Sequence, residues 1–146
     1  MYKIVDYDKK YEKEIVDLWI EICVNEHGYK SWEKELKETH AEIYEKFLVL
    51  THNGKVIGTM AYRPKSEKEK HTAEIKRVYL DKKHRGTGWA QKMFDVLLKD
   101  IKKRGYEKVF IGTWNRFYSG IGFYKKNGFE LIDITEECHD FEKKLK

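Results

Sequence analysis

The chain has 146 residues, 40% of them hydrophobic and 38% charged, and carries a net charge of +5. This length and composition indicate one soluble globular domain over residues 1–146, with a core of its own and a strongly charged surface. The longest apolar run is FLVL, so we expect neither a membrane span nor a secretory leader. Cys23 and Cys138 have no metal-binding spacing, which favours a cytoplasmic protein without a metal.

The first half of the chain predicts a strand, two helices and a hairpin. YKIVDYD has the pattern of a short strand, and the apolar residues of 9–25 recur at helical spacing. Ser31 is a suitable N-cap for a second helix over WEKELKETHAEIYEK, residues 32–46. Asn53-Gly54 separates two apolar runs and is a strong hairpin signal.

The second half predicts strands that alternate with two more helices. AEIKRVYL and KVFIGTW are strand-like, whereas an apolar stripe from Gly88 to Gly105 predicts a helix that ends at a glycine cap. FYSGIGFYKKNG predicts a short helix, and FELIDIT with HDFEKKL predicts a closing pair of strands. The whole order, β-α-α-β-β-β-α-β-α-β-β, indicates a mixed α/β sheet rather than a bundle or barrel.

The strand over residues 73–80 has an irregular apolar pattern. Ile75, Val78 and Leu80 are its core candidates, but a regular strand would keep core residues two apart, and the first two are three apart. One extra residue predicts a β-bulge near Lys76–Arg77. A bulge separates a strand from its neighbour and leaves backbone groups available to bind something else.

The stretch HRGTGWA, residues 84–90, connects this strand to the following helix. A strand, a glycine-rich turn and a helix N-terminus together form an anion site, because the first amides of a helix are unpaired and glycine admits a close ligand. The stretch is neither a Walker loop nor a dinucleotide fingerprint. Taken alone, two glycines in a turn are more often structural than functional.

Two motifs together resemble the GCN5-related N-acetyltransferases (GNAT). The family hallmark Q/R-x-x-G-x-G/A after a bulged strand fits residues 85–90, RGTGWA, and the hallmark FY-x-x-x-GF fits residues 123–129, FYKKNGF. The order of the predicted helices and strands also resembles that of the family over nearly the whole chain. It implies a mixed, mostly antiparallel sheet with a bulged, splayed central strand and helices on both faces.

The resemblance implies acetyl-CoA as cosubstrate. The pyrophosphate would lie on the backbone amides of residues 85–90, and the pantetheine along the bulge, where it would pair with the backbone at Val78 and Leu80 like an extra strand. The 3′-phosphate would meet Lys82, Lys83, Arg85, Lys125 or Lys126, among which the sequence does not choose. The cofactor-binding residues implied are Val78, Leu80, Arg85, Gly86, Thr87, Gly88, Trp89, Ala90, Asn115 and Tyr124.

The resemblance also implies two catalytic residues. Tyr124 would protonate the departing thiolate, unless it only packs among neighbouring aromatic residues. Glu74 would act as the base, directly or through water, unless it only pairs with Lys76 or Arg77. Asn115 would bond the pantetheine or simply cap the turn after its strand.

Three further residues invite a catalytic role that the sequence does not favour. His27 and His84 are expected to be surface residues. Cys23 lies on the apolar stripe of the first helix, which argues against an acetyl-cysteine route.

The charge distribution bears on the acceptor. Residues 11–45 hold ten acids and four lysines, a net charge of −6, whereas residues 63–126 hold eighteen basic and seven acidic residues, a net charge of +11. In the family the acceptor site forms from regions that correspond to Trp19–Leu36, Gly58–Arg63 and Thr113–Tyr124. The acidic part therefore favours a cationic amine, either polyamine-like or amino-sugar-like, or a protein lysine or N-terminus.

Two functions of different class remain open. The first is acetyl transfer from acetyl-CoA to a primary amine by direct attack in a ternary complex. The alternative is a non-catalytic acyl-CoA-binding or interaction module on the same fold. We expect a monomer or homodimer that binds neither nucleic acid nor membrane, although the basic surface alone would suggest nucleic acid.

Overall fold

Seven strands form one sheet in residues 1–145, the part of the chain that this computed structural model describes, in the order β1-β2-β3-β4-β5-β7-β6. Neighbouring strands are antiparallel except for β4 and β5, which run parallel. The predicted mixed, mostly antiparallel sheet is confirmed. The strands are β1 Tyr2–Asp6, β2 Lys46–His52, β3 Lys55–Pro64, β4 Thr72–Leu80, β5 Lys108–Trp114, β6 Glu130–Ile134 and β7 Cys138–Lys144.

Helices cover both faces of this sheet. Helix α1 (Glu12–Ile20) continues into a π-helical turn at Glu21–Glu26 and packs on one face, while α2 (Trp89–Lys103) and α3 (Tyr118–Lys126) contribute to the core on the other. Each helix forms because an apolar stripe is buried against the strands. No helix within residues 1–145 has the length and hydrophobicity needed to cross a bilayer.

The predicted hairpin and the long helix are both confirmed. Asn53 (φ 52°) and Gly54 (φ 82°) are both left-handed, the geometry that a two-residue hairpin turn requires. Helix α2 ends just before Gly105 (φ 85°), whose left-handed backbone follows the last helical turn.

The predicted second helix over residues 32–46 is wrong. This segment forms short 3₁₀ turns at Lys30–Trp32 and Ala41–Ile43. Leu36 and Thr39 are its only buried residues, and a helix with so little apolar surface gains too little from packing. Instead, Thr39 donates from its backbone amide and its hydroxyl to the carboxylate of Glu12, which fixes the segment in an irregular path.

The predicted bulge in β4 is confirmed. Thr59 is opposite Tyr79 and Ala61 is opposite Lys76, so Arg77 and Val78 together face Met60. Arg77 has φ 61°, a left-handed backbone that is uncommon for a side chain of this size.

A buried hydrogen-bond chain holds this bulge. The indole Nε1 of Trp19 donates to Thr59 Oγ1 at 2.9 Å, and that hydroxyl donates to the carbonyl of Arg77 at 2.7 Å. Both Trp19 and Thr59 are fully buried. Helix α1 therefore stabilises the bulged strand through a single hydroxyl group.

The bulge is accompanied by a gap between β4 and β5. The two strands pair only through Thr72–Glu74 and Lys108–Phe110. Beyond these residues β4 has no neighbour on that side within residues 1–145, and its edge is available to a ligand.

We predict that Thr59→Val lowers the free energy of unfolding by about 2–4 kcal/mol, because it leaves the Trp19 donor and the Arg77 carbonyl unpaired in the core. Urea denaturation measures this loss. Thr59→Ser is the control, since it keeps the hydroxyl and removes one methyl group, at a cost of about 1 kcal/mol. Equal losses in the two variants would show that the hydrogen-bond chain does not hold the bulge.

Candidate active site

The gap between β4 and β5 contains a cavity of about 500 Å³. We call it the strand-gap cavity. Its size falls within the range of small-molecule sites. The residues that line it are Trp32, Glu35, Leu36, 74–79, 110–114, Phe117, Tyr124, Cys138 and Asp140.

A second cavity, of about 220 Å³, lies beside the glycine-rich turn, and we call it the glycine-loop cavity. Its lining is mostly apolar, and both the end of β4 and helix α3 contribute to it. The residues that line it are Ile22, His27, Met60, 78–80, Arg85, Gly86, Ala90, Thr113, Phe117, Ser119, Gly120, Phe123 and Tyr124.

The two cavities meet. Val78, Tyr79, Thr113, Phe117 and Tyr124 line both of them. A ligand that extends from the glycine-rich turn along β4 would therefore bring its far end to Tyr124, where a second ligand in the strand-gap cavity can reach it.

The glycine-rich turn has the geometry of an anion site. Gly86 (φ 81°) and Gly88 (φ 87°) are both left-handed, and each has open space where a side chain would begin. Within residues 1–145, the amides of residues 86–91 donate to no backbone carbonyl. These amides lie at the N-terminus of the fifteen-residue helix α2, whose dipole favours a negative ligand.

Arg85 is held by an ion pair that sequence reasoning did not predict. Its guanidinium makes a two-pronged bond to Glu26, with Nη2 at 2.8 Å from Oε1, and its Nε donates to the Leu80 carbonyl at 3.0 Å. This bond to Arg85 lowers the pKa of Glu26, so the pair is charged at neutral pH. The π-helical turn is thereby connected to the glycine-rich turn.

Tyr124 lies at the junction of the cavities and is 3% exposed. Burial raises the pKa of its phenol well above the ordinary value of about 10, while the neighbouring Thr113 side chain lowers it by less. The phenol is therefore protonated throughout the usual pH range and can donate a proton but not accept one. It also packs against Phe94, Phe129 and Phe141, so the packing role considered from the sequence is present as well.

Glu74 lines the strand-gap cavity at the point where β4 and β5 begin to separate. Its carboxylate lies 3.7 Å from Nε of Arg63 on β3, rather than pairing with Lys76 or Arg77 as the alternative expected. Its side chain is 17% exposed, so it is partly shielded from water but still accessible from the cavity.

Asn115 uses its side chain within the protein. Its Nδ2 donates to the carbonyls of Thr135 and Glu136, and its Oδ1 lies 2.6 Å from Nδ1 of His139. These bonds connect the end of β5 to the turn between β6 and β7. They favour the turn-capping role, and the contact with pantetheine stays a prediction.

Trp89 and Thr87 use their side chains in contacts within the protein. The Trp89 ring stacks on Tyr2 of β1 at 5.0 Å between centroids, and Lys92 Nζ lies 4.2 Å from it. Thr87 donates through its hydroxyl to the His84 carbonyl at 2.7 Å and so shapes the turn. These two residues can therefore contribute their backbone amides to an anion.

His27 and His84 are both partly exposed, and their expected role as surface residues rather than catalysts stays a prediction. His27 lines the glycine-loop cavity, with its ring 4.4 Å from that of Phe117, and burial lowers its pKa. The π-helical turn brings it there, a feature that no sequence pattern signalled. Cys23 is fully buried and burial raises the pKa of its thiol, which disfavours a thiolate nucleophile.

Sequence reasoning also missed residues of the strand-gap cavity. Arg77 enters its lining because of the bulge, and Asp140 because β7 pairs with β5. The irregular spacing of apolar residues in β4 was a signal for Arg77, whereas the position of Asp140 depends on tertiary contacts. Trp32, which lies within the predicted acceptor range Trp19–Leu36, contributes an aromatic wall, stacked on Tyr29 at 4.1 Å and close to Trp114 at 4.3 Å.

Residues 12–129 match the model of the acetyltransferase (GNAT) family, and the chain belongs to this family. The resemblance found in the two sequence motifs is thus confirmed.

Two curated relatives are N-acetyltransferases by name. YjgM of Escherichia coli, described as uncharacterized, is 24% identical over 104 residues, which are 71% of this chain and 62% of the relative. N-acetyltransferase family 8 member 2 of Rattus norvegicus is 26% identical over 98 residues, which are 66% of this chain and 43% of the relative. The match spans less than two thirds of either relative.

Solved structures share the fold over the whole chain. A GNAT-family acetyltransferase from Staphylococcus aureus superposes with a TM-score of 0.86 at 21% identity, covering 100% of both chains. PaiA N-acetyltransferase from Thermoplasma acidophilum, solved with coenzyme A, gives 0.77 at 19% identity over 99% of both chains. YncA from Salmonella typhimurium, a putative acetyltransferase solved with acetyl-CoA, gives 0.76 at 15% identity over 100% of this chain and 95% of its own.

We predict that acetyl-CoA raises the Tm of the wild type and no longer does so in Gly88→Glu, because the new carboxylate lies where the pyrophosphate would bind. Thermal unfolding with and without acetyl-CoA measures the shift. Gly105→Glu is the matched control, since Gly105 (φ 85°) is also left-handed with open space around it. A normal acetyl-CoA shift in Gly88→Glu would place the cofactor elsewhere.

Proposed function

We propose that this protein transfers the acetyl group of acetyl-CoA to a primary amine by direct attack in a ternary complex. The single observation that carries this proposal is the meeting of two cavities at Tyr124. One cavity begins at a turn whose unpaired amides suit an anion, and the other would give a separate molecule access to the same point.

The cofactor would extend along the glycine-loop cavity. Its pyrophosphate would accept hydrogen bonds from the amides of residues 86–90, and its pantetheine amides would pair with the open edge of β4 at Val78 and Leu80. Arg85 is already paired with Glu26, which favours the exposed lysines Lys82, Lys83, Lys125 and Lys126 as partners of the 3′-phosphate.

The chemistry needs a neutral amine, a thioester held against it and a proton for the leaving group. The amine nitrogen forms a bond to the acetyl carbon, the carbon–sulfur bond breaks, and the sulfur leaves as a thiolate. An acceptor that arrives as an ammonium ion first gives one proton to the base, and after the attack its nitrogen loses a second proton to solvent water. The thiolate takes a proton from the acid. Positioning of the two reactants supplies most of the rate gain.

Tyr124 is the proposed acid. Because burial raises the pKa of its phenol, the proton is present at any ordinary assay pH. Once the proton has gone to sulfur, the phenolate is itself buried and unstable, so it recovers a proton as the products leave.

Glu74 is the proposed base, acting directly or through a water molecule in the strand-gap cavity. It lies on the bulged strand at the mouth of the gap and is accessible from that cavity. Arg63 fixes the orientation of its carboxylate.

The acceptor is proposed to be an amine that arrives as a cation. Glu35, Glu74 and Asp140 line the strand-gap cavity and would attract an ammonium group. Burial raises the pKa of Asp140, and the nearby Asp133 raises it further. Both a small molecule and a protein lysine or N-terminus carry such a group, and the cytoplasm remains the predicted location.

The proposal is tested by an assay of free thiol release from acetyl-CoA across a panel of amines. Amine-dependent thiol release together with an acetylated product supports transfer. Tight binding of acetyl-CoA without thiol release for any amine would instead favour the non-catalytic acyl-CoA-binding module.

We predict that Tyr124→Phe lowers kcat by about 10²-fold, or about 2.7 kcal/mol of barrier, while the affinity for acetyl-CoA changes little. Phenylalanine keeps the ring and removes only the acidic group. Since the raised pKa keeps Tyr124 protonated, the loss should have the same size from pH 6 to pH 9. Steady-state kinetics across this range measure it.

Tyr118→Phe is the matched control for that variant. Tyr118 begins the same helix and is 78% exposed, so its loss should leave kcat unchanged. Wild-type kcat in Tyr124→Phe would mean that Tyr124 only packs and that water protonates the thiolate.

A further inference from the structure

Arg77 is a half-buried cation that has no anionic partner. Within residues 1–145 no carboxylate lies within ion-pairing distance of its guanidinium. By contrast, Arg63, Arg85 and Arg104 each pair with a glutamate. Arg77 therefore differs from the two other partly buried arginines, Arg63 and Arg85, and from the more exposed Arg104.

The contacts of Arg77 are neutral. Its Nε donates to the hydroxyl of Tyr44 at 3.1 Å, and its guanidinium carbon lies 4.6 Å from the ring centre of Trp19. Burial acts to lower the pKa of Arg77, and the phenols of Tyr79 and Tyr44 act to raise it. These groups keep the guanidinium in place but do not neutralise it.

A guanidinium in this position is costly to bury without an anion. It has five N–H donors in a planar fork that matches the two oxygens of a carboxylate. Nε donates to Tyr44, and the phenol of Tyr79 also lies within hydrogen-bonding reach of the guanidinium, so the fork keeps part of its five donors for a ligand.

The location of Arg77 assigns it to the acceptor rather than to the cofactor. Arg77 lines the strand-gap cavity, whereas the glycine-loop cavity has Arg85 in its lining. Glu74 lies three residues earlier on the same strand, within about 10 Å along β4. The acceptor side of the site thus combines carboxylates that suit an amine with two cations, Lys76 and Arg77, that suit an acid.

We propose that the acceptor is an amine that also carries a carboxylate, and that Arg77 binds this carboxylate while the amine faces the thioester. This inference rests on the proposed acetyl transfer and narrows its substrate class from cationic amines to zwitterionic ones. Arg77 acts as a specificity-determining residue: it positions the acceptor and takes no part in proton transfer.

The aromatic wall of the same cavity suits the body of such a molecule. Trp32 and Trp114 lie 4.3 Å apart between ring centres and line the strand-gap cavity together with Phe117. Such rings favour an apolar or aromatic side group. Phenylalanine is therefore a suitable probe, and γ-aminobutyrate covers the case in which amine and carboxylate are farther apart.

The test compares acceptors that differ only in the carboxylate. The pairs are phenylalanine with phenethylamine, phenylalanine with phenylalaninamide, and γ-aminobutyrate with propylamine, assayed by thiol release and by mass spectrometry of the product. In the wild type, the carboxylate-bearing member of at least one pair should have the lower KM, by about 10-fold or more.

Variants of Arg77 separate recognition from structure. Arg77→Met should raise KM for the carboxylate-bearing acceptor by about 10- to 100-fold, with kcat and the KM of its uncharged partner within about threefold of wild type. Arg77→Lys keeps the charge without the planar fork, so its KM for the carboxylate-bearing acceptor should lie between those of the wild type and Arg77→Met. Both variants keep an unbranched side chain at φ 61°, so the conformational strain of this left-handed backbone is the same as in the wild type.

Arg104→Met is the control. Arg104 forms ion pairs with Asp100 and Glu45 and lines neither cavity. Its loss should therefore leave KM and kcat unchanged for both acceptors of each pair. The carboxylate preference of the wild type, lost in Arg77→Met and kept in Arg104→Met, supports the proposal.

Three outcomes would overturn it. In the first, the wild type acetylates the member without a carboxylate as well as the acid in every pair. In the second, Arg77→Met raises KM equally for both members of a pair. In either case acetyl transfer itself stands. In the third, no amine is acetylated and the proposed transfer fails. The Tm of the protein–coenzyme A complex, measured with each acceptor, then tests carboxylate binding separately. A Tm increase with phenylalanine no larger than that with phenethylamine would contradict it.

Discussion

The hydroxyl of Thr59 is the group on which the architecture of this site depends. It accepts from the Trp19 indole and donates to the Arg77 carbonyl, so it connects helix α1 through β3 to the bulge in β4. Because Trp19 and Thr59 are buried, each of these hydrogen bonds is stronger than it would be in water and costly to lose. The bulge in turn gives β4 an open edge beside β5, and both cavities are lined by residues of that strand.

The two sides of the opened strand have different chemistry. On the glycine-loop side the groups available to a ligand are backbone amides at the start of α2, an arrangement that suits an anion by geometry and dipole. On the strand-gap side the available groups are side chains, among them Glu74, Arg77 and Asp140. A backbone site suits a cosubstrate shared by a family, and a side-chain site suits an acceptor that differs among its members. Tyr124 lies between the two sides.

Local patterns predicted the parts of this arrangement that local chemistry determines. The spacing of apolar residues in β4 indicated the bulge, and Asn53-Gly54 indicated the hairpin, because each depends on few residues. The glycines of residues 84–90 form a left-handed turn, whose role as an anion site stays a prediction. The segment around Trp32 was predicted as a helix, since its path depends on distant partners such as Glu12. The Arg85–Glu26 ion pair and the Asp140 wall likewise join residues far apart in sequence.

A crystal structure of the protein with acetyl-CoA tests the central claim most directly. The account predicts the pyrophosphate on the amides of residues 86–90, the pantetheine paired with β4 at Val78 and Leu80, and the thioester beside Tyr124 at the junction of the cavities. The β4–β5 gap should be open with the Trp19–Thr59–Arg77 chain intact. A cofactor bound away from β4, or a β4 that pairs with β5 along its whole length, would contradict the account.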